Sequence, residues 1–282
     1  MSPNTNRDQA EGLRRILAEK HTRQLCFLSA VSAPQKNAVL LNLAAALVRA
    51  GNEVQLLDAS LSAQGIASRA APALTRTLWD VAQQGAPLED AVRAHDPAIA
   101  LSRLAPQALG LLQSQPAELE KLSIVLRALS PNANYWLLDC DLQADNPFVL
   151  PELCASEVVV LVANTPTSIK SAYTEMKEFQ ARFGRRQYQL LVLETSAAQA
   201  QTIGKNMALA VNRYLASQLV ALGNIPPDAH WSRAVQLGRA IVDAFPMAPA
   251  AVAFREITAR LVGAQGPRQA GAQAKPTATL EI

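Results

Sequence analysis

Short apolar runs alternate along the chain with longer segments in which apolar residues recur every three or four positions. Each run is apolar throughout and has the length of one β-strand, which predicts strands buried on both faces of a sheet. The runs read QLCFLSA, EVQLLDA, NYWLLDCD, EVVVLVANT, YQLLVLET and LVALGNI. Because helical spacing fills the segments between them, we predict an α/β fold, a mostly parallel, doubly wound sheet with helices on both faces.

The helical spacing between the strands also sets the bounds of the predicted helices. It predicts a helix that begins near Trp231 and helices over 36–50, 166–183, 197–218 and 248–262. The pattern over 61–129 is mostly helical, with one more strand at AIALSRL. Sheets of this kind bind ligands beyond the carboxyl ends of their strands, so residues there are the first candidates for a site.

The two ends of the chain differ from this core. DQAEGLRRIL places Leu13, Ile16 and Leu17 on one face of a short helix with Asp8 at its N-cap. The tail GAQGPRQAGAQAKPTATLEI is small, polar and rich in Gly and Pro, a composition typical of disorder. We therefore predict an N-terminal helical segment (1–22), to which the family resemblance given below assigns partner binding, an α/β domain (23–264) and a disordered tail (265–282).

Composition excludes several classes of protein. A chain of 282 residues that is 50% hydrophobic can bury a sizeable core, and a net charge of +3 is far from the basic footprint of a dedicated nucleic-acid binder. The spacing of three cysteines and three histidines suggests neither a disulfide framework nor a zinc site. Without a signal-peptide core or a membrane-length apolar run, the sequence predicts a cytoplasmic protein.

A phosphate-binding loop would lie between the first strand and the first long helix. Such a loop needs backbone N–H groups turned into a concavity, a lysine for the phosphates and a hydroxyl for magnesium. Glycines make that backbone conformation accessible. The turn from Ser29 to Asn37 contains no glycine, and Lys36 is its only cation.

The stretch LLNLAAALVRAGNEVQLLDAS resembles the deviant Walker ATPases of the MinD/ParA class, whose loop reads K-G-G-V-G-K-T. When the two are aligned on N-L-A, Lys36 takes the place of the Walker A lysine and Asn37 that of the magnesium-binding Thr. Asp58 and Asp139 match the aspartate after the second strand and the Walker B aspartate. The resemblance thus implies that these four residues are the remnant of a nucleotide site.

Other positions of that family pattern have changed. Val31 replaces the signature lysine, Ser60 replaces the aspartate linked to the attacking water, and Leu193 replaces an adenine-contacting Asn. Pro34 removes an N–H, and each non-glycine residue forced into left-handed geometry would cost about 1–3 kcal/mol. We therefore expect that hydrolysis is lost, that binding of ATP and magnesium is weakened, and that no residue is catalytic or ligates a resident metal.

Two further stretches narrow the resemblance to the FlhG/FleN branch, MinD-like regulators of flagellar number and placement. These are DQAEGLRRIL and LGNIPPDAHWSRAVQLGRAIVDAFPMAPAAVAFREI. In that branch the N-terminal helix binds the signal-recognition-type GTPase FlhF and stimulates GTP hydrolysis, and a glutamine helps to orient the water. The resemblance implies that Gln9 has this role. It implies that the partner is contacted by Asp8, Gln9, Leu13, Arg14, Ile16 and Leu17, with Arg15 on the exposed side.

The same resemblance implies a flagellar transcription activator or a basal-body ring protein as further partners, and recruitment to the cell pole or flagellar base through them. Many relatives also carry a C-terminal amphipathic helix that binds membrane. Here Leu280 and Ile282 are the only large apolar residues after Gly263, which argues against that route.

Several alternatives stay open from the sequence. The N-terminal helix could pack on its own domain, or Lys36 could serve an active ATPase switch. A ParA-like DNA-binding partition protein would use the basic residues Arg182, Arg185 and Arg186, although such a cluster is more often a solvated face. A cellulose-secretion accessory protein of the same class is the fourth alternative.

Overall fold

The computed structural model describes residues 22–60, 63–106, 114–142, 150, 153, 156–237 and 239–263. This part of the chain contains eight strands: β1 Arg23–Ser29, β2 Val54–Ala59, β3 Val92–Asp96, β4 Ile99–Arg103, β5 Tyr135–Cys140, β6 Glu157–Ala163, β7 Gln187–Leu193 and β8 Gln218–Ile225. They form one sheet in the order β3-β4-β2-β5-β1-β6-β7-β8. All neighbouring strands are parallel except β3, which is antiparallel to β4.

Helices cover both faces of the sheet, which confirms the predicted α/β architecture. The helices are α1 Ala33–Arg49, α2 Ile66–Ala70, α3 Leu78–Gln84, α4 Pro116–Ala128, α5 Pro166–Phe183, α6 Ala197–Leu215, α7 Ala229–Gln236, α8 Ile241–Ala244 and α9 Pro249–Gly263. One layer contains α1, α2, α7, α8 and α9, and the other contains α3 to α6.

The central strands are apolar throughout because their alternate residues enter opposite layers. In β1, Leu25 and Phe27 pack with the α1 layer, whereas Cys26 and Leu28 pack with the other layer. Cys26 and Cys140 are buried free thiols, and Cys154 lies outside the described residues. The strands therefore act as a partition between two hydrophobic cores.

Two element predictions were wrong in detail. Strand β3 was missed because its sequence, VRAHD, is mostly exposed at the sheet edge and carries no apolar run. It forms a hairpin with β4, which confirms the strand predicted at AIALSRL. Helix α6 ends at Leu215 rather than near 218, because Ala216 adopts a left-handed φ of 47°.

The N-terminal segment and the tail, whose structures were predicted from sequence, lie outside the described residues. No helix in the described part of the chain combines the length and apolar character that a membrane span requires. The same residues include no group of three or more His, Cys, Asp or Glu side chains placed to hold a metal ion.

Candidate functional site

The turn between β1 and α1 is shorter than the sequence suggested. Strand β1 ends at Ser29 and α1 begins at Ala33, so the predicted helix start at Lys36 was three residues late. Ser32 is the N-cap and Pro34 lies in the first turn. The Gln35 side chain accepts hydrogen bonds from the Ser32 N–H (3.3 Å) and hydroxyl (2.9 Å). The stretch that would be a phosphate loop is thus the first turn of a helix.

Four backbone N–H groups of this turn donate hydrogen bonds within the protein. Pro34 has none to offer, and no residue from 29 to 37 has a positive φ. A cradle for phosphate would need several free N–H groups that converge on one point. The donations are Ala30 to the Leu161 carbonyl (3.0 Å), Val31 to the Ser29 hydroxyl (3.4 Å), Ser32 to Gln35, and Lys36 to the Ser32 carbonyl (3.0 Å).

Lys36 points into the protein rather than toward solvent. Its ammonium group forms an ion pair with the Asp139 carboxylate and donates to the Cys140 carbonyl at 3.3 Å. The side chain of Lys36 is 9% exposed and that of Asp139 is fully buried. Burial by itself lowers the pKa of the Lys36 amine, but the adjacent Asp139 carboxylate outweighs it, and the pKa lies above its ordinary value.

Asp58 and Asp139 face each other across the pairing of β2 with β5. Both carboxylates accept backbone N–H groups from the start of α2, Asp139 from Ile66 (2.7 Å) and Asp58 from Ala67 (3.0 Å). The Ser60 hydroxyl donates to Asp58 at 2.9 Å. Burial, and then the charge of Asp139, raise the pKa of Asp58 to about 6.

Asn37 completes a set of contacts that we call the latch: the bonds of Asn37, Asp58 and Asp139 to residues 64–67. The Asn37 amide donates to the Gln64 carbonyl at 3.1 Å, and the residue is 3% exposed. Gly65 allows this close approach, because a Cβ there would lie 2.3 Å from Asp58 Oδ1. Three predicted site residues are thereby occupied by the protein's own backbone.

The surroundings of Lys36 are acidic. Burial, and then the charge of Asp141, raise the pKa of Glu175 on α5 to about 7, and Lys36 opposes this rise. Arg103 lies 3.8 Å from Asp58 and is the second cation of the site. Asp58, Asp139, Asp141 and Glu175 thus give this region four carboxyl groups and only two cations, a balance that disfavours a triphosphate.

The residues present do not fit Mg-ATP at its phosphate end. The Asp58 and Asp139 carboxylates, which could ligate magnesium, already accept N–H groups or pair with Lys36. The Asn37 amide N–H donates to Gln64, and its Oδ1 is buried without a hydrogen-bond partner in the described part of the chain, but one neutral amide oxygen is a poorer magnesium ligand than a carboxylate. A cavity of about 620 Å³ lies beside the start of α1. Its lining includes Leu193, the position matched to an adenine contact, together with Pro226, Pro227 and Trp231.

The structure thus brings together Lys36, Asn37, Asp58 and Asp139, the four residues predicted from the family pattern. Ser60 binds Asp58 rather than facing an open site. Sequence reasoning missed Gly65, Arg103 and Glu175, which lie far apart in the chain and belong to no motif. The predicted partner-binding residues Asp8, Gln9, Leu13, Arg14, Arg15, Ile16 and Leu17 lie outside the described residues.

Two arginines of the basic cluster have structural partners. Arg182 donates to the Leu142 carbonyl at 3.1 Å. Arg186 donates to the Ser156 carbonyl at 3.5 Å and lies over the Phe179 ring. These contacts weaken the interpretation of the cluster as a DNA-binding surface.

No family model matches the chain. The chain is 26% identical to the antiactivator FleN of Pseudomonas aeruginosa over 227 aligned residues. The alignment covers 80% of this chain and 81% of FleN. A chain of the MinC:MinD cell division complex of Aquifex aeolicus has a TM-score of 0.64 at 18% identity, over 88% of this chain and 98% of that chain.

A ParA family ATPase of Chlorobium tepidum has a TM-score of 0.58 at 14% identity, over 84% of this chain and 98% of that chain. The solved structures show the fold, and the sequence match to FleN indicates the branch. The chain thus has the fold of the MinD/ParA class of P-loop proteins and is similar in sequence to FleN, of the FlhG/FleN branch.

Proposed function

We propose that this protein is a MinD-like regulator of flagellar biosynthesis that acts by binding partner proteins and does not hydrolyse ATP. The observation that carries the proposal is the ion pair between Lys36 and Asp139. Lys36 lies in the first turn of α1, which begins at Ala33 where a phosphate loop would lie. A regulatory role is supported by the similarity to FleN, which is described as an antiactivator.

Binding of ATP would have to undo this arrangement. Separating Lys36 from a fully buried Asp139 would cost about 3–5 kcal/mol, since it leaves an uncompensated buried charge. A micromolar ligand gains only about 8 kcal/mol in total. The Lys36 N–H would also have to leave the Ser32 carbonyl before it could bind a phosphate, so we expect nucleotide binding to be millimolar at best.

The active part in this proposal is the N-terminal segment. It binds an FlhF-type GTPase, with Leu13, Ile16 and Leu17 as the apolar anchor and Gln9 beside the attacking water. The support is the resemblance of DQAEGLRRIL to the FlhG/FleN branch. The α/β domain serves as a scaffold that needs no nucleotide.

Further partners follow from the same resemblance. We propose a flagellar transcription activator as the second partner, which the description of FleN as an antiactivator supports, and a basal-body ring protein as the third. Recruitment to the cell pole or the flagellar base would occur through these partners. No contact with them is needed for the stimulation of the GTPase.

The test is the GTP hydrolysis rate of an FlhF-type GTPase with the full-length protein and no ATP. Stimulation is expected, with loss in Gln9→Ala and no change in Asn6→Ala, a control from the same segment. Adding Mg-ATP should leave the rate unchanged. Absence of stimulation by the unmodified protein, or stimulation that requires ATP, would contradict the proposal.

An ATP-dependent switch is the second candidate, and the cavity of about 620 Å³ beside α1 favours it. That volume lies in the range of ordinary small-ligand sites, of about 300–1,000 Å³. ATP turnover by the purified protein, lost in Lys36→Ala, would establish this candidate. We expect no turnover with either protein.

A further inference from the structure

We propose that a second cleft of the domain binds the chain's own N-terminal segment, residues 8–17. This cleft has a volume of about 520 Å³ and lies between α1 and residues 239–243. Its floor is a stripe of α1, formed by Ala38, Leu41, Ala45 and Val48. The segment itself lies outside the described residues.

The stripe on α1 has the spacing of a helix-binding groove. Its members are three or four residues apart, and from Ala38 to Val48 it extends about 15 Å. The predicted helix from Asp8 to Leu17 is about 14 Å long. Leu13, Ile16 and Leu17 recur at the complementary spacing, as in helices that place one apolar face in a groove.

Charged side chains along the cleft follow an order. Arg69 lines both this cleft and the first cavity, so it marks the end beside Ala38 at the carboxyl edge of the sheet. Arg239 lies two residues before Ile241, whose N–H binds Asn42 in the middle of α1. Asp96 lines the opposite end, next to Ile99, the first residue of β4.

Arg69, Arg239 and Asp96 have no oppositely charged partner within 4 Å in the described part of the chain. Asp243, in contrast, forms an ion pair with Arg49 at 2.7 Å. From the carboxyl edge of the sheet to its amino edge, the unpaired charges of the cleft are therefore Arg69, Arg239 and then Asp96. The segment reads Asp8, Glu11, then Arg14 and Arg15. Charge complementarity therefore places Asp8 toward Arg69 and Leu17 toward Ile99.

Chain connectivity selects the same orientation. Arg23 pairs with Tyr135, Tyr135 with Val54, and Val54 with Ile99, so all four lie in one row at the amino edge. Three strand spacings separate the ends of the row, about 14 Å. The five residues 18–22 extend up to about 17 Å, enough to join β1 to a helix that ends beside Ile99.

Docking would cover the apolar anchor of the segment. Under the proposed function, on which this consequence rests, Leu13, Ile16 and Leu17 also contact the GTPase. The docked and partner-bound states then exclude each other, and the cleft restrains the segment until a partner competes for it. The docking itself can be measured without any GTPase.

The test uses the full-length protein with the photo-crosslinker benzoylphenylalanine at position 95, an exposed site that lines the cleft. Mass spectrometry is expected to find cross-links to residues 8–17 of the same chain. Leu13→Asp with Leu17→Asp should reduce their yield about tenfold, the effect of about 1.4 kcal/mol. The same probe at Tyr214, which is 66% exposed on α6 in the other layer, should give none.

Arg69→Glu should lower the yield severalfold by reversing one charge, and Arg213→Glu on α6 should leave it unchanged. Cross-links that miss the segment, join two chains, or survive the double substitution would overturn the inference. The GTPase assay tests the proposed function independently of the docking. Cross-linking without stimulation of the GTPase refutes the proposed function alone. Stimulation without cross-linking refutes the docking alone.

Discussion

Lys36 forms a buried ion pair with Asp139, although the two residues are matched to groups that bind nucleotide in MinD/ParA proteins. The carboxylate that would act near magnesium instead neutralises the lysine that would bind phosphate. Asn37 and Asp58 are likewise engaged within the protein, because in the latch both bind residues 64–67 rather than a ligand. We infer that the remnant of the site now stabilises the fold.

Lys36→Met is expected to destabilise the protein by about 3–5 kcal/mol, because it leaves the Asp139 charge buried without a partner. Chemical denaturation measures this as a lower free energy of unfolding. The shape of the side chain is largely kept, so the change reports mainly on charge.

The control for this variant is Lys36→Met combined with Asp139→Asn, which removes the orphaned charge while an amide oxygen can still accept the Ile66 N–H. The double variant should recover most of the lost stability. If it is no more stable than Lys36→Met, the ion pair is not the source of the loss.

Gly65→Ala tests the latch without changing any charged group. A Cβ there would lie 2.3–2.5 Å from Asp58 and the Ser60 hydroxyl, so the start of α2 must shift. Overpacking of this kind costs about 1–3 kcal/mol. Denaturation should show that loss, and hydrogen exchange of the Ile66 and Ala67 amides should become faster.

Gly204→Ala is the matched substitution at a tolerant position. Its Cβ would lie 3.8 Å from Leu190, and the residue is inside α6, so alanine should stabilise by about 0.5–1 kcal/mol. Equal effects of the two substitutions would argue against a special role for residue 65.

Glu175 gives the protein a dependence on pH. Its pKa is raised to about 7 in the folded state from an ordinary value near 4.5, so the folded state binds more protons between those values. The free energy of unfolding therefore falls as pH rises from about 4.5 to 7. The slope expected for one such group is on the order of 1.4 kcal/mol per pH unit within that window.

Glu175→Gln should flatten this decline, and the variant should be more stable than the unmodified protein at pH 7.5. Glu256→Gln, an exposed residue on α9, should leave the pH profile unchanged. Denaturation at pH 5 and pH 7.5 measures both. A profile that Glu175→Gln does not alter would show that another group titrates.

The sequence predicts the central strands well because burial on both faces leaves an uninterrupted apolar signal. Strand β3 gives no such signal, since four of its five residues are exposed at the sheet edge. The start of α1 could have been predicted: Ser32 as N-cap, Pro34 in the first turn and Gln35 reaching back are local features. The comparison with a phosphate loop drew attention to Lys36 instead.

The candidate site was predicted as a set of residues but not as an arrangement. Lys36 and Asp139 are far apart in the chain, and nothing local indicates that they pair. The local sequence does not mark Gly65 as important either, because the need for glycine there arises from its contact with the Asp58 carboxylate at the end of β2. Family patterns supplied the members of the site, and only packing shows that they bind one another.

Whether the Lys36–Asp139 ion pair keeps nucleotide out can be measured by calorimetric titration of the full-length protein with Mg-ATP and Mg-ADP, beside Lys36→Ala. We predict no saturable heat below about 1 mM nucleotide, which corresponds to less than about 4 kcal/mol of binding free energy. Saturable binding by the unmodified protein at micromolar nucleotide, lost in Lys36→Ala, would refute the exclusion of nucleotide by this ion pair. It would show that Lys36 leaves Asp139 to hold a phosphate.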